Sequence, residues 1–297
     1  MTLVQNVKRF VPASAALLLL CTVAAQADNS VGVNAQVRNS VQTKTATDTA
    51  LHSAVVRAPI HLGDLVVSGD KSALQILLLD KSVFTVGANA RMTIDKFVYD
   101  PTRGTSDVAA SVARGAFRFM SGPTLGGQGQ NAISSPVATI GVRGTIVEGA
   151  VGPDAASILA GEKGVTPPGS NSDSVTLVVL RGPGRNSHTF DKPGAIDVTA
   201  GGVTVSAEHA GQAIVIWGPG QPPVGPFTLS DNAFGKLSGF LRTTPDPGGP
   251  GSSAILGDVG PAGANSGDNL DPGQIGDTFT FDTTSIELPG DERPNDR

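Results

Sequence analysis

Residues 131–149 read NAISSPVATIGVRGTIVEG, and their spacing decides the fold class. Taken two at a time, Ala138, Ile140, Val142, Gly144 and Ile146 share one side of an extended chain. Thr139, Gly141, Arg143 and Thr145 share the other, so one face is apolar and one polar, as in a strand with a single buried face. The Ser135-Pro136 pair favours an extended start, because the proline ring pushes the residue before it out of the helical region. Gly141 and Gly144 flank one arginine, and glycine inside a strand marks a bulge, a bend or a close backbone approach. Arg143 therefore reads first as a cation paired within its own domain, with a role in stability, and second as a contact to a ligand or partner.

Working outward, further short runs rich in Val, Ile and Leu are separated by turn residues. They lie at 31–47, 51–56, 60–67, 73–79, 83–86, 92–99 and 108–120, and after the opening stretch at 175–180, 195–198, 203–207 and 213–217. The run 73–79, ALQILLL, is too apolar for a half-exposed strand and too short to prefer a helix, so it is expected either to be buried on both faces or to lie within the domain core. Residues 152–174 read as a polar surface loop. One helix is expected, over 227–242: Leu229, Ala233, Phe234, Leu237 and Leu241 keep helical spacing, and Ser230 suits an N-cap. It is expected to pack over an open edge or end of the β-body, with a helix free to dock a partner as the sharper alternative.

The 38 glycines and 21 prolines among 297 residues demand many turns or a segment without a packed core, and both are present. Residues 243–297 are rich in Pro, Gly, Asp and Ser and read as a disordered tail, interrupted at 277–288 by DTFTFDTTSIEL, a candidate strand. Charge is uneven. Residues 28–230 hold 15 acidic and 15 basic side chains, whereas 231–297 hold 11 acidic and 4 basic. That balance offers no basic surface for nucleic acid or for an anionic membrane. At the other end, Lys8-Arg9, the apolar run 10–23 and Ala25-Gln26-Ala27 have the layout of a signal peptide cleaved after Ala27. The apolar run is shorter than the ~20 residues a spanning helix needs, so no stable membrane anchor is expected. Export would remove Cys21, the only cysteine, and leave the mature chain without a thiol. The expected location is the periplasm or the medium.

No catalytic, cofactor or metal site is expected. His52, His61, His188 and His209 include no i,i+4 pair and have no companion cysteines, so no local zinc spacing occurs. There is no Gly-x-Ser-x-Gly elbow. Residues 126–131 match a calcium-binding nonapeptide only once and without its aspartate.

The order of Gly63-Asp64, Ser72-Ala73-Leu74, Asp80 with Ser82, the run 91–97, the stretch 114–119 (RGAFRF) and finally Ser135-Pro136 leading to Val142-Arg143-Gly144-Thr145 resembles the FecR domain. The resemblance covers about 55–150 and extends loosely to Trp217. It departs from the family at Lys81, where the usual turn has glycine, and at Ser135, where the usual residue before proline is threonine. It implies an all-β fold, a rolled or solenoid-like stack of short strands, with a β-sandwich as the alternative. It marks Asp64, Pro136, Gly141, Arg143, Gly144 and Thr145 as the structural signature. The expected organisation is a signal peptide (1–27), a β-domain (28–226, core 55–150), a short helix (227–242) and the tail. The expected function is a non-enzymatic binding or signalling module that recognises a protein partner in the envelope. A structural cell-surface or matrix protein is the alternative.

Overall fold

The structure, a computed structural model, describes residues 30–122, 129–165, 172–182 and 194–243. The expected signal peptide and the tail beyond Thr243, with its candidate strand, lie outside the described residues. The chain opens with β1 (Ser30–Arg38), β2 (Val41–Lys44), β3 (His52–Ser53), β4 (Pro59–His61), β5 (Leu65–Ser68), β6 (Ala73–Leu78) and β7 (Val83–Val86). There follow β8 (Arg91–Asp100), β9 (Thr105–Met120), β10 (Asn131–Ser134), β11 (Thr139–Arg143), β12 (Ile146–Val151) and helix α1 (Pro153–Leu159). The described chain closes with β13 (Thr176–Gly182), β14 (Ala195–Ala200), β15 (Val203–Ala207), β16 (Gln212–Ile216), β17 (Val224–Thr228) and helix α2 (Asp231–Phe240).

The class is all-β, as the alternation predicts. The strands form two layers. An outer sheet runs β3-β2-β5-β8-β9-β10-β11-β14-β15, and a middle sheet runs β4-β1-β6-β7-β9-β12-β13-β16-β17. All these pairings are antiparallel except β9 with β10. The chain passes back and forth between the layers while advancing in one direction, which is the rolled stack expected; the two faced layers are what the sandwich alternative described. Strand β9 belongs to both sheets, its first half pairing with β8 and β10 and its second half with β7 and β12. The corner is Gly115, at φ 82, where a Cβ would stand 2.3 Å from the Ala90 Cα.

Between the layers lies the main core, including Val66, Met92, Ile94, Val108 and Ile140 of the outer sheet and Leu74, Ile76, Phe84, Phe117, Phe119 and Val178 of the middle one. The middle sheet also buries its other face. Ala116, Ala150, Leu177, Val179, Ala213 and Val215 meet Ala155, Ile158 and Leu159 of α1 and Ala233 and Leu237 of α2. Burial on both sides explains the unbroken apolar runs of β13 and β16. Strand β6 is buried on both faces as expected: Leu74, Ile76 and Leu78 face the core, and Ala73 and Gln75, 1% and 6% exposed, face the other way beside half-buried Leu77.

Two expectations change. Residues 153–159 are a helix rather than part of a surface loop: Pro153 sets the first turn, and Ala155, Ile158 and Leu159 fall three and four apart, which buries one side on the middle sheet. Helix α2 begins after Ser230 as expected, with the Ser230 Oγ accepting from the Ala233 backbone N–H at 3.3 Å, but it covers a sheet face, not an edge. Phe227 belongs to β17, not to the helix. Among the described residues no helix is long and apolar enough to cross a membrane.

Candidate recognition surface

The opening stretch is not one strand but two. Residues 138–143 keep the expected alternation, with Ala138, Ile140 and Val142 buried and Thr139 and Arg143 exposed. Gly144, at φ 56, then turns the chain from the outer to the middle sheet and inverts the pattern. Thr145 is consequently buried at 2% exposure, its hydroxyl donating to the Gly182 carbonyl at 2.8 Å. Gly141, Arg143, Gly144 and Thr145 thus make one corner. Pro136 lies exposed in the turn before β11, and Asp64 sits in the turn between β4 and β5, with β8, β9 and β10 between it and β11.

Arg143 projects from the bare face of the outer sheet. Its Nη2 lies 3.1 Å from Oδ1 of Asp197, two residues along β14 from the directly opposite Ala195, and the same oxygen accepts from Ser206 Oγ at 2.6 Å. The cation is therefore satisfied within its own domain, as first expected, but it is 60% exposed. Beside it a row of hydroxyls crosses six strands in register: Thr204, Thr199, Thr139, Ser134, Ser111 and Thr93.

The end of the roll formed by residues 51–62 differs in kind. Among the described residues, half of the large exposed hydrophobic side chains come from these twelve: Leu51, Val55 at 63% exposure, Val56 and Leu62. They flank β3 and β4, the terminal strands of the two sheets, each of which pairs on one side only among the described residues. Between those strands Val55-Val56-Arg57-Ala58 closes a turn through an Ala58 N–H to Val55 carbonyl bond of 3.2 Å. Arg57 holds φ 68 at its third position, where glycine is usual.

The strained turn is held from below. Asn34, 1% exposed, donates through Nδ2 to the Val55 carbonyl at 3.0 Å; its backbone N–H donates to Ala58 and its carbonyl accepts from Arg57. On the other flank Asp64 accepts the His61 backbone N–H at 2.9 Å, so this signature residue acts as a latch of the same end. Two valines and a cation are thus presented on a fixed backbone rather than a loose loop. Such fixing lowers the entropy lost on binding. Sequence reasoning took 51–56 for an ordinary strand. The available signal was an apolar pair followed at once by Arg57 and Pro59, too polar and too interrupted to be buried.

Two carboxyls elsewhere are shifted. Asp107 is held below the usual range chiefly by the Gln130 backbone N–H, with Lys96 adding to it against a small desolvation. Burial pushes Asp154, at the start of α1, upward, opposed by Asn89 and Arg114 and aided by Asp70.

No family model matches the sequence, and no curated protein matches it. Among solved structures it is similar to two crystal structures of a "putative anti-sigma factor" from Parabacteroides distasonis, at 11% and 12% identity. Each comparison has a TM-score of 0.36 and covers 56% of this chain and 60% of the other.

Proposed function

We propose that the chain is an exported, non-enzymatic module of FecR type that binds a protein partner in the cell envelope through the end of the roll at residues 51–62. The observation that carries this reading is the exposed Val55-Val56 pair on a turn pinned by buried Asn34. Exposed apolar side chains on preorganised backbone are what protein interfaces use as anchors, and the single-sided strands β3 and β4 add unpaired backbone groups beside them. The signal-peptide layout and the resemblance at Asp64 and 136–145 support the remaining parts of the reading.

A photo-crosslinking residue at position 55 in the full chain, expressed in the producing cell, tests it. One discrete envelope-protein adduct that disappears when Val56→Asp is added supports the proposal. Absence of an adduct, or an adduct indifferent to Val56→Asp, overturns it. The bare hydroxyl row on the outer sheet favours the second reading, a structural surface component whose flat face packs laterally. Fractionation separates the two, since a surface component collects in the outer fraction or medium.

A further inference from the structure

On the middle sheet the face turned away from the main core carries a second row, in register across five strands: Gln36, Gln75, Thr85, Arg118 and Glu148. Beside Glu148 a bulge in β13 places Arg181 on the same face, its Nε 3.3 Å from Glu148 Oε2. Glu148 is 1% exposed and receives Arg118 Nε at 2.7 Å on its other oxygen. Two guanidiniums thus share one carboxylate, leaving one positive charge in excess. Arg118 Nη1 and both Nη groups of Arg181 have no partner among the described residues. Phe234 of α2 lies against Arg181, 4.9 Å from guanidinium carbon to ring centre, and marks where the helix layer stops. At the far side of the row Gln75 is buried, at 6% exposure.

The described chain ends on this same face. The Phe240 carbonyl accepts from Ala88 N–H, and the Arg242 carbonyl accepts from Arg38 Nη1 at 3.0 Å. Arg38 is two residues along β1 from Gln36, so the exit lies three strand spacings, about 14 Å, from Arg118. Residues 244–297 carry 10 acidic and 2 basic side chains, whereas 30–243 carry 15 acidic and 17 basic. Within the tail, residues 277–292 concentrate five carboxylates, Asp277, Asp282, Glu287, Asp291 and Glu292, around Phe279 and Phe281. The linker from Thr243 to Asp277 is ample for the distance.

We propose that this face is an internal binding site for the chain's own acidic segment 277–292. Its carboxylates pair with Arg118 and Arg181, the partly exposed guanidiniums of this face. Ionised carboxylates match the forked donors of arginine, and a tethered ligand binds at high effective concentration.

The test uses the full chain with Cys21→Ala and a nitroxide on Ser285→Cys. Selective broadening of the amide signals of Thr85, Arg118, Glu148 and Arg181 is expected. It should be lost in Arg181→Gln, which leaves the Arg118–Glu148 pair intact, and in a variant with the five carboxylates amidated. It should also fade in about 1 M salt, where the screening length is about 3 Å. No broadening, broadening centred on β3 and β4 or on β15, or broadening unaffected by amidation overturns the proposal.

Discussion

Arg118 and Glu148 stand directly opposite each other on β9 and β12, with Arg118 Nε donating to Glu148 Oε1 at 2.7 Å. Glu148 is 1% exposed, so removing its partner strands a buried charge. Arg118→Ala should cost about 3 kcal/mol, because Glu148 would keep only the longer contact to Arg181. Urea unfolding should show a lower midpoint with an unchanged slope. Replacing both partners, Arg118→Met with Glu148→Leu, should recover much of the loss, since the desolvation of both charges is then avoided.

Arg143 should behave differently, although the sequence singles it out more strongly. With the arginine 60% and Asp197 34% exposed, water screens the pair, and such pairs contribute about 0–1 kcal/mol. This corrects the expectation of a role in stability. Arg143→Ala should leave the melting curve nearly unchanged, and what little it loses should vanish at high salt.

The contrast between those two arginines shows what was legible in the sequence. Alternation marks faces, so the strands at 83–86 and 203–207 fall where the pattern places them. It does not say which face a second layer will cover. Arg118 sits in a pattern identical in kind to that of Arg143, and only the burial of its partner, Glu148 at 1% exposure against Asp197 at 34%, distinguishes them. The corner at Gly144 was equally hidden. A continuous alternation from Ala138 to Ile146 hides a switch of sheet, because one left-handed residue shifts the register without changing residue type. The turn at Val55 lacks the glycine that would have announced it, Arg57 being held in place by Asn34, twenty-three residues earlier.

Two glycines test that account of the corners. At Gly115 an added Cβ would meet the Ala90 backbone at 2.3 Å, and φ is 82. At Gly144 φ is 56, but nothing lies within 4 Å. Gly115→Ala should therefore be severely destabilising or prevent folding, since backbone on both sides must move. Gly144→Ala should cost only the left-handed penalty, about 1–2 kcal/mol, and keep the fold. Equal losses from the two substitutions, measured by urea unfolding, would show that steric contact is not what fixes the β9 corner.

Asp154 makes stability depend on pH in the direction opposite to most carboxylates. Burial raises its proton affinity above the ordinary value of 3.8, outweighing Asn89 and Arg114. Below that value the carboxyl is protonated in both folded and unfolded chains, and it contributes no slope. As pH rises past 3.8 the unfolded chain releases the proton first, so the folded state binds more protons and stability falls. The fall ends once the folded carboxyl has ionised too, and the penalty is then constant up to neutral pH. Asp154→Asn should abolish this component and, since the amide keeps an acceptor for Asn89 Nδ2, leave α1 in place. Unfolding free energies measured from pH 3.5 to 7 should show the variant gaining on the parent as pH rises. A gain that is flat across the range, or largest at the acid end, would mean that the Asp154 carboxylate is solvated in the folded chain.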